Sequence, residues 1–168
     1  MNTINTQKQR ISIMKFLLFI FAFTLSFLAC AQNSNSSGVG YSYQLSDQQW
    51  KEKLSDEQYS VLRRKGTEIP FKNKYWDNKK SGKYVCAGCE HNLFVSDTKF
   101  KSGTGWPSFF SFIENGVELG VDNNLGYSRN EVHCKNCGGH LGHVFNDGPK
   151  PTGLRYCINS VALIFIEE

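Results

Sequence analysis

Apolar and polar positions divide the chain into stretches of different character. Positions 16–28 read FLLFIFAFTLSFL, an almost unbroken apolar run preceded by Arg10 and Lys15. It is shorter than the roughly 20 residues of a membrane-spanning helix and gives way to small residues, the pattern of an export signal. A polar, Asn/Ser/Gly-rich stretch without periodicity follows at 32–40 and reads as a flexible tether. Next come Ser46-Asp-Gln-Gln49 and Ser55-Asp-Glu-Gln58, each preceded by Leu, and each matching the capping box that starts a helix. They predict two short helices, the second ended by the cations Arg63, Arg64 and Lys65 and by Gly66. Beyond Gly66 helical periodicity disappears. Short apolar runs between Gly, Asn, Asp and Pro predict an antiparallel, mainly β domain, and RYCINSVALIFI at 155–166 is its clearest strand.

These boundaries divide the chain into a signal at 1–30, a tether at 31–44 and one folded domain at 45–168. Met14-Lys15 would itself make a normal signal start, which leaves 1–13 as a candidate extension. Two processing routes fit. Ala29-Cys30-Ala31 allows cleavage after Ala31, whereas Cys30 resembles the lipidated first residue of a lipoprotein, and the polar tether behind it suits an anchored domain. Both routes place the domain outside the cytosol, in the periplasm or cell envelope. The composition, 40% hydrophobic in 168 residues, supports a single buried core. The formal charge of +4 comes largely from Lys8, Arg10 and Lys15; without them 16 bases face 15 acids. A nearly neutral body carries no electrostatic footprint for nucleic acid.

Four of the six cysteines form two C-x-x-C pairs, Cys86/Cys89 and Cys134/Cys137. Two such knuckles complete a tetrahedral sulfur shell, the environment of structural zinc; two disulfides are the alternative in an oxidising compartment. A closed four-thiolate site leaves no position for substrate, so one zinc ion there would stabilise the fold. The segments around the pairs, CAGCEHNLFVS from Cys86 and CKNCGGHLGHVFN from Cys134, echo each other weakly. With Cys30 lipidated or removed, Cys157 is the remaining free thiol. Strand alternation puts Arg155, Cys157 and Asn159 on one face and Tyr156, Ile158 and Ser160 on the other. In HVFND the same alternation groups His143, Phe145 and Asp147, with His140 three residues upstream, and Gly105-Trp106-Pro107-Ser108-Phe109 forms a rigid aromatic turn. Taken one at a time these residues read as packing; a lone strand Cys is most often a small buried hydrophobe.

The combination is specific. The C-x-x-C, the GWPSF turn and the block EVHCKNCGGHLGHVFNDGPKPTGLRYCIN beginning at Glu131 resemble the methionine sulfoxide reductase B family from about Leu45 to Ile166. The resemblance implies two small antiparallel β-sheets with short N-terminal helices around a structural zinc. It implies reduction of the R epimer of methionine sulfoxide in proteins, with Cys157 as nucleophile passing through a sulfenic acid. Arg155 and Asn159 match the polar residues flanking it, and His140, His143 and Asp147 match the residues that bind substrate or water near the sulfoxide oxygen. Trp106 matches the indole against the substrate methyl, with Phe145 beside it, and Cys86, Cys89, Cys134 and Cys137 match the zinc ligands. One departure stands out: Thr104, in SGTGWPSF, occupies the place where many members carry the cysteine that resolves the sulfenic acid. Recycling then falls to an external thiol reductant of the thioredoxin kind. No organic cofactor and no nucleic acid are expected, and the enzyme is expected to be a monomer. The competing class is a non-catalytic exported zinc-ribbon binding module, and a secreted disulfide scaffold is a third.

Overall fold

The computed structural model describes residues 40–123, 126 and 128–168. The expected signal segment, Cys30 and the expected tether up to residue 39 lie outside the described residues. Both helices form where the capping boxes place them. In α1 (Asp47–Lys53) Ser46 accepts from Gln49 N while the Gln49 side chain accepts from Ser46 N, and Ser55 and Gln58 repeat the arrangement for α2 (Asp56–Arg64). Gly66 ends α2 by a different device from the one its composition suggests. The left-handed residue is Lys65 (φ 56°), whereas Gly66 is needed because a Cβ there would stand 2.8 Å from Ser60 Oγ.

The remaining elements are antiparallel strands: β1 (Gly82–Cys86), β2 (Asn92–Val95), β3 (Lys99–Phe100), β4 (Ser108–Phe109), β5 (Val117–Asp122), β6 (Arg129–Cys134), β7 (His140–Phe145), β8 (Arg155–Ile158) and β9 (Leu163–Glu167). They form a three-stranded sheet ordered β2-β1-β9 and a six-stranded sheet ordered β3-β4-β8-β7-β6-β5. Here the long run at 155–166 departs from a single strand. It splits into β8 of the large sheet and β9 of the small one, joined by a 3₁₀ turn (Ser160–Ala162). The break has a physical cause: the Glu68 carboxylate accepts from the backbone N–H of Ser160 and from that of Val161 (2.9 Å), and the Ser160 hydroxyl accepts from Tyr75 N (2.7 Å). These bonds draw the chain out of the ladder.

Aromatic side chains join the two sheets. Phe94 of β2 stacks on Phe109 of β4 (centroids 4.3 Å apart, 15° between planes), and Tyr84 of β1 meets Phe109 edge-on at 5.1 Å. Tyr84, Phe94 and Phe109 are wholly buried, each contributing on the order of 2 kcal/mol through apolar burial. Tyr156 and Ile158 of β8 enter the same core, so strand alternation turns Arg155 and Cys157 to the opposite face of the large sheet. Trp50 of α1 and Val61 and Leu62 of α2 close the core at the cysteine knuckles, where Arg63 lies over the Trp50 ring (4.8 Å) and donates to Cys137 O.

Candidate active site and metal centre

One transverse row crosses the large sheet. Gly120, Glu131, His143, Cys157 and Ser108 are successive register partners on β5, β6, β7, β8 and β4, so their side-chain directions share one face. Cys157 is half-buried at its middle. His140 would fall on the opposite face of a regular strand, because it lies three positions from His143. The register slips instead: Gly142 pairs with Val132 but His140 pairs with His133, which leaves Leu141 as an extra residue. This β-bulge reverses the alternation and brings the two imidazoles to a centroid separation of 5.2 Å. Asn159 holds the bulge, its backbone N–H (2.8 Å) and side-chain Nδ2 (3.0 Å) both donating to Leu141 O, while its Oδ1 accepts from Glu68 N (3.1 Å). The amide thus works on the backbone around the site.

Each histidine is held by a buried carboxylate. His140 Nδ1 lies 2.8 Å from Glu131 Oε1, and His143 Nε2 lies 2.9 Å from Asp122 Oδ2. A carboxylate only accepts, so Nδ1 of His140 and Nε2 of His143 carry protons. Lys65 Nζ reaches the other Glu131 oxygen at 2.7 Å. Burial raises the Glu131 carboxyl, but the hydrogen bonds from His140 and Lys65 outweigh it and hold the group at about 2. The far nitrogen of His140, Nε2, is buried without a hydrogen-bond partner among the described residues. Buried polar atoms are seldom left so, and a substrate oxygen or a water would satisfy it.

Asp147 pairs with Arg155. Its two oxygens each accept from the Arg155 guanidinium at 2.9 Å, a bidentate pair that lowers the Asp147 carboxyl. The guanidinium rests on the Phe145 ring, 4.3 Å from its centroid. Burial pushes the Cys157 thiol above its ordinary value, and the Thr104 hydroxyl, the Arg155 charge and the Ser108 hydroxyl pull it back. Trp106 lies in the turn before β4, two residues ahead of Ser108, its indole N–H donating to Glu68 O at 3.2 Å. That turn requires Gly105 (φ 86°), because a Cβ would lie 2.7 Å from Phe71 N. A groove of about 740 Å³ between α2, residues 67–75 and the start of β9 includes Glu68 but contains neither Cys157 nor the histidines.

The cysteine knuckles converge on a separate centre. The four sulfurs of Cys86, Cys89, Cys134 and Cys137 lie within 4.8 Å of one another, with Cys86 to Cys137 at 3.7 Å and Cys89 to Cys134 at 3.6 Å. Disulfide bonds are about 2.05 Å long, so these are four separate thiols. Their spacing matches the ~3.8 Å edge of a tetrahedron built on 2.3 Å metal–sulfur bonds, and this donor set could hold one metal ion. Mutual hydrogen bonding lowers Cys89 and Cys137 and raises Cys86 and Cys134, as expected where thiols crowd and share protons.

The structure thus brings Cys157, His143 and His140 to one face and gathers the four metal-type cysteines apart from them. Sequence reasoning missed Asp122, Glu131, Glu68 and the hydroxyls of Ser102 and Ser108. The faint signals were an acid at alternating positions in VELGVD and one inside RNEVHC.

A two-sheet β domain with a four-cysteine cluster that could hold a metal ion and, among the described residues, one further thiol on a histidine-bearing sheet face is the class of protein defined by this geometry. The SelR domain model matches residues 54–167. A peptide methionine sulfoxide reductase MsrB of Leptospira interrogans is 53% identical over 131 residues, spanning 77% of this chain and 100% of the relative. Proteins of the same name from Methanosarcina mazei (57% over 124 residues; 73% of this chain, 89% of the relative) and Agrobacterium fabrum (54% over 121 residues; 71% and 90%) match equally broadly. The chain belongs to the methionine sulfoxide reductase B family.

Proposed function

We propose that this protein reduces the R epimer of methionine sulfoxide in proteins to methionine. The observation that carries the reading is the juxtaposition of Cys157 with the carboxylate-held pair His143 and His140 on one sheet face. Sulfoxide sulfur is electrophilic but its oxygen leaves poorly, so attack needs a thiolate at sulfur and a proton donor at oxygen. Cys157 attacks the sulfur; His143 and His140 supply the proton, with Asp122 and Glu131 stabilising the imidazolium forms. The sulfoxide S–O bond breaks, oxygen passes to Cys157 as a sulfenic acid, and methionine leaves reduced by two electrons. Arg155, aimed by Asp147 and seated on Phe145, favours the thiolate. The indole face of Trp106 receives the substrate methyl and so sets the choice of epimer. No cysteine besides Cys157 and the metal-type four lies among the described residues. An external dithiol then returns the sulfenic acid to thiol, releasing water and leaving as a disulfide.

Cys86, Cys89, Cys134 and Cys137 would hold one zinc ion, which supplies cohesion and takes no part in the chemistry. The deciding experiment is single-turnover methionine release from the two separate epimers of a sulfoxide peptide. Wild-type protein is expected to release one equivalent from the R epimer and essentially none from the S epimer, and Cys157→Ser to release none. Burst release by Cys157→Ser, or inertness of folded wild-type protein toward both epimers, would end the proposal.

A further inference from the structure

Two hydroxyls, of Thr104 and Ser108, face Cys157 from the turn before β4 and from β4 itself, and that of Ser102 joins them. Ser108 Oγ donates to Ser102 Oγ at 2.8 Å, Thr104 N–H points at the same oxygen at 3.4 Å, and Ser102 Oγ lies 2.9 Å from Thr104 Oγ1. Thr104 Oγ1 in turn stands 3.9 Å from Cys157 Sγ, the long reach of a hydroxyl to sulfur. A hydroxyl has one proton to give and two lone pairs with which to accept. Two donors converge on Ser102 Oγ, so its own proton must go outward, and the acceptor in reach is Thr104 Oγ1. Thr104, having accepted, turns its proton to the remaining neighbour, the sulfur of Cys157. Ser108 has other acceptors in Trp106 O at 3.2 Å and in the Cys157 sulfur that it faces across the strand pair, but its 2.8 Å bond to Ser102 is the shorter one. The bonds therefore run in one direction, from Ser108 to Ser102 to Thr104 to Cys157, and each link polarises the next toward sulfur.

We propose that this oriented hydroxyl chain stabilises the Cys157 thiolate, with Thr104 making the contact and Ser102 and Ser108 acting as positioning residues that fix the direction of its proton. The proposal rests on Cys157 being the nucleophile, and it gives the position from which a resolving cysteine is missing a task of its own. Because burial raises the thiol, the chain acts where help is needed. The charged and titratable groups facing Cys157 are Arg155 on its own strand, paired with Asp147, and His143 on β7, held by Asp122. From β4 and the 102–104 turn come hydroxyls, with Lys101 exposed beside them. Variants in the hydroxyl chain leave all these charges in place.

The test reads the thiol without any sulfoxide present, so it stands apart from whether the protein proves to be a reductase. Alkylation of Cys157 by iodoacetamide is followed against pH in metal-loaded protein, with mass spectrometry of the peptide containing residue 157. Thr104→Val and Ser102→Ala are each expected to move the midpoint upward and slow alkylation at neutral pH about threefold to tenfold. Thr104→Ser keeps the hydroxyl and is expected to stay within about twofold of wild type. Ser102 and Thr104 are partly exposed, so these changes spare the core; thermal midpoints verify the fold, and Ser102→Gly is a second hub variant. An unmoved midpoint in folded Thr104→Val overturns the proposal. So does a shift in Thr104→Val that both Ser102 variants fail to share, because a lone contact is then enough and no chain exists.

Discussion

Glu131 shows what a single carboxylate does when two donors converge on it. Lys65 arrives from the end of α2 and His140 from β7, and their hydrogen bonds override burial to hold the carboxyl at about 2. An acid whose proton affinity falls on folding contributes its full stabilisation above its unfolded value of ~4.3, and that contribution disappears as the pH drops through the folded value. Glu131→Gln should therefore cost about 2 kcal/mol in urea unfolding at pH 6. The gap from wild type should narrow as the pH falls from ~4.3 toward 2. A gap that ignores pH would mean that ionic pairing is not its source. The sequence pointed to His140 and His143 and grouped Asp147 with them near the sulfoxide oxygen, but it named no carboxylate partner for either imidazole. Their carboxylate partners are Glu131 and Asp122, carried by neighbouring strands whose register no local pattern reveals.

The elements build the site mainly through their irregularities. Alternation alone correctly separated Arg155 and Cys157 from Tyr156 and Ile158, since β8 is regular there. It failed at Leu141, where the bulge turns His140 onto the working face, and at Asn159, where the strand ends. Both depend on tertiary hydrogen bonds, from Asn159 to the Leu141 carbonyl and from Ser160 and Val161 to the Glu68 carboxylate. Glu68 links these features: its side chain grips the turn after β8 and its carbonyl holds the Trp106 indole. One residue thus ties the Trp106 turn to the chain that follows β8. Glu68→Ala should lower turnover of the R sulfoxide about tenfold by loosening that geometry, and it should narrow the preference for R over S. Wild-type turnover with unaltered epimer choice would show that Trp106 is positioned by other means.

At the scale of the molecule, the two sheets share an aromatic core and the cysteine centre. Cys86 ends β1 of the small sheet, Cys134 ends β6 of the large one, and Cys137 precedes β7 and thus His140. A metal bound by all four sulfurs would therefore fasten sheet to sheet and fix the hairpin that delivers His140 to the face bearing Cys157. The C-x-x-C pairs made this centre readable from spacing alone, whereas the division of strands between sheets was not, because it depends on which ladder captures each edge. Binding to four thiolates contributes its free energy directly to folding. Stripping the metal should accordingly lower the thermal midpoint by more than about 10 °C, the equivalent of several kcal/mol for a domain of this size. Activity should fall with it, and restored zinc should recover both. If quantitative metal removal left the midpoint and turnover as they were, the aromatic core alone would be sufficient and the centre would have no structural role.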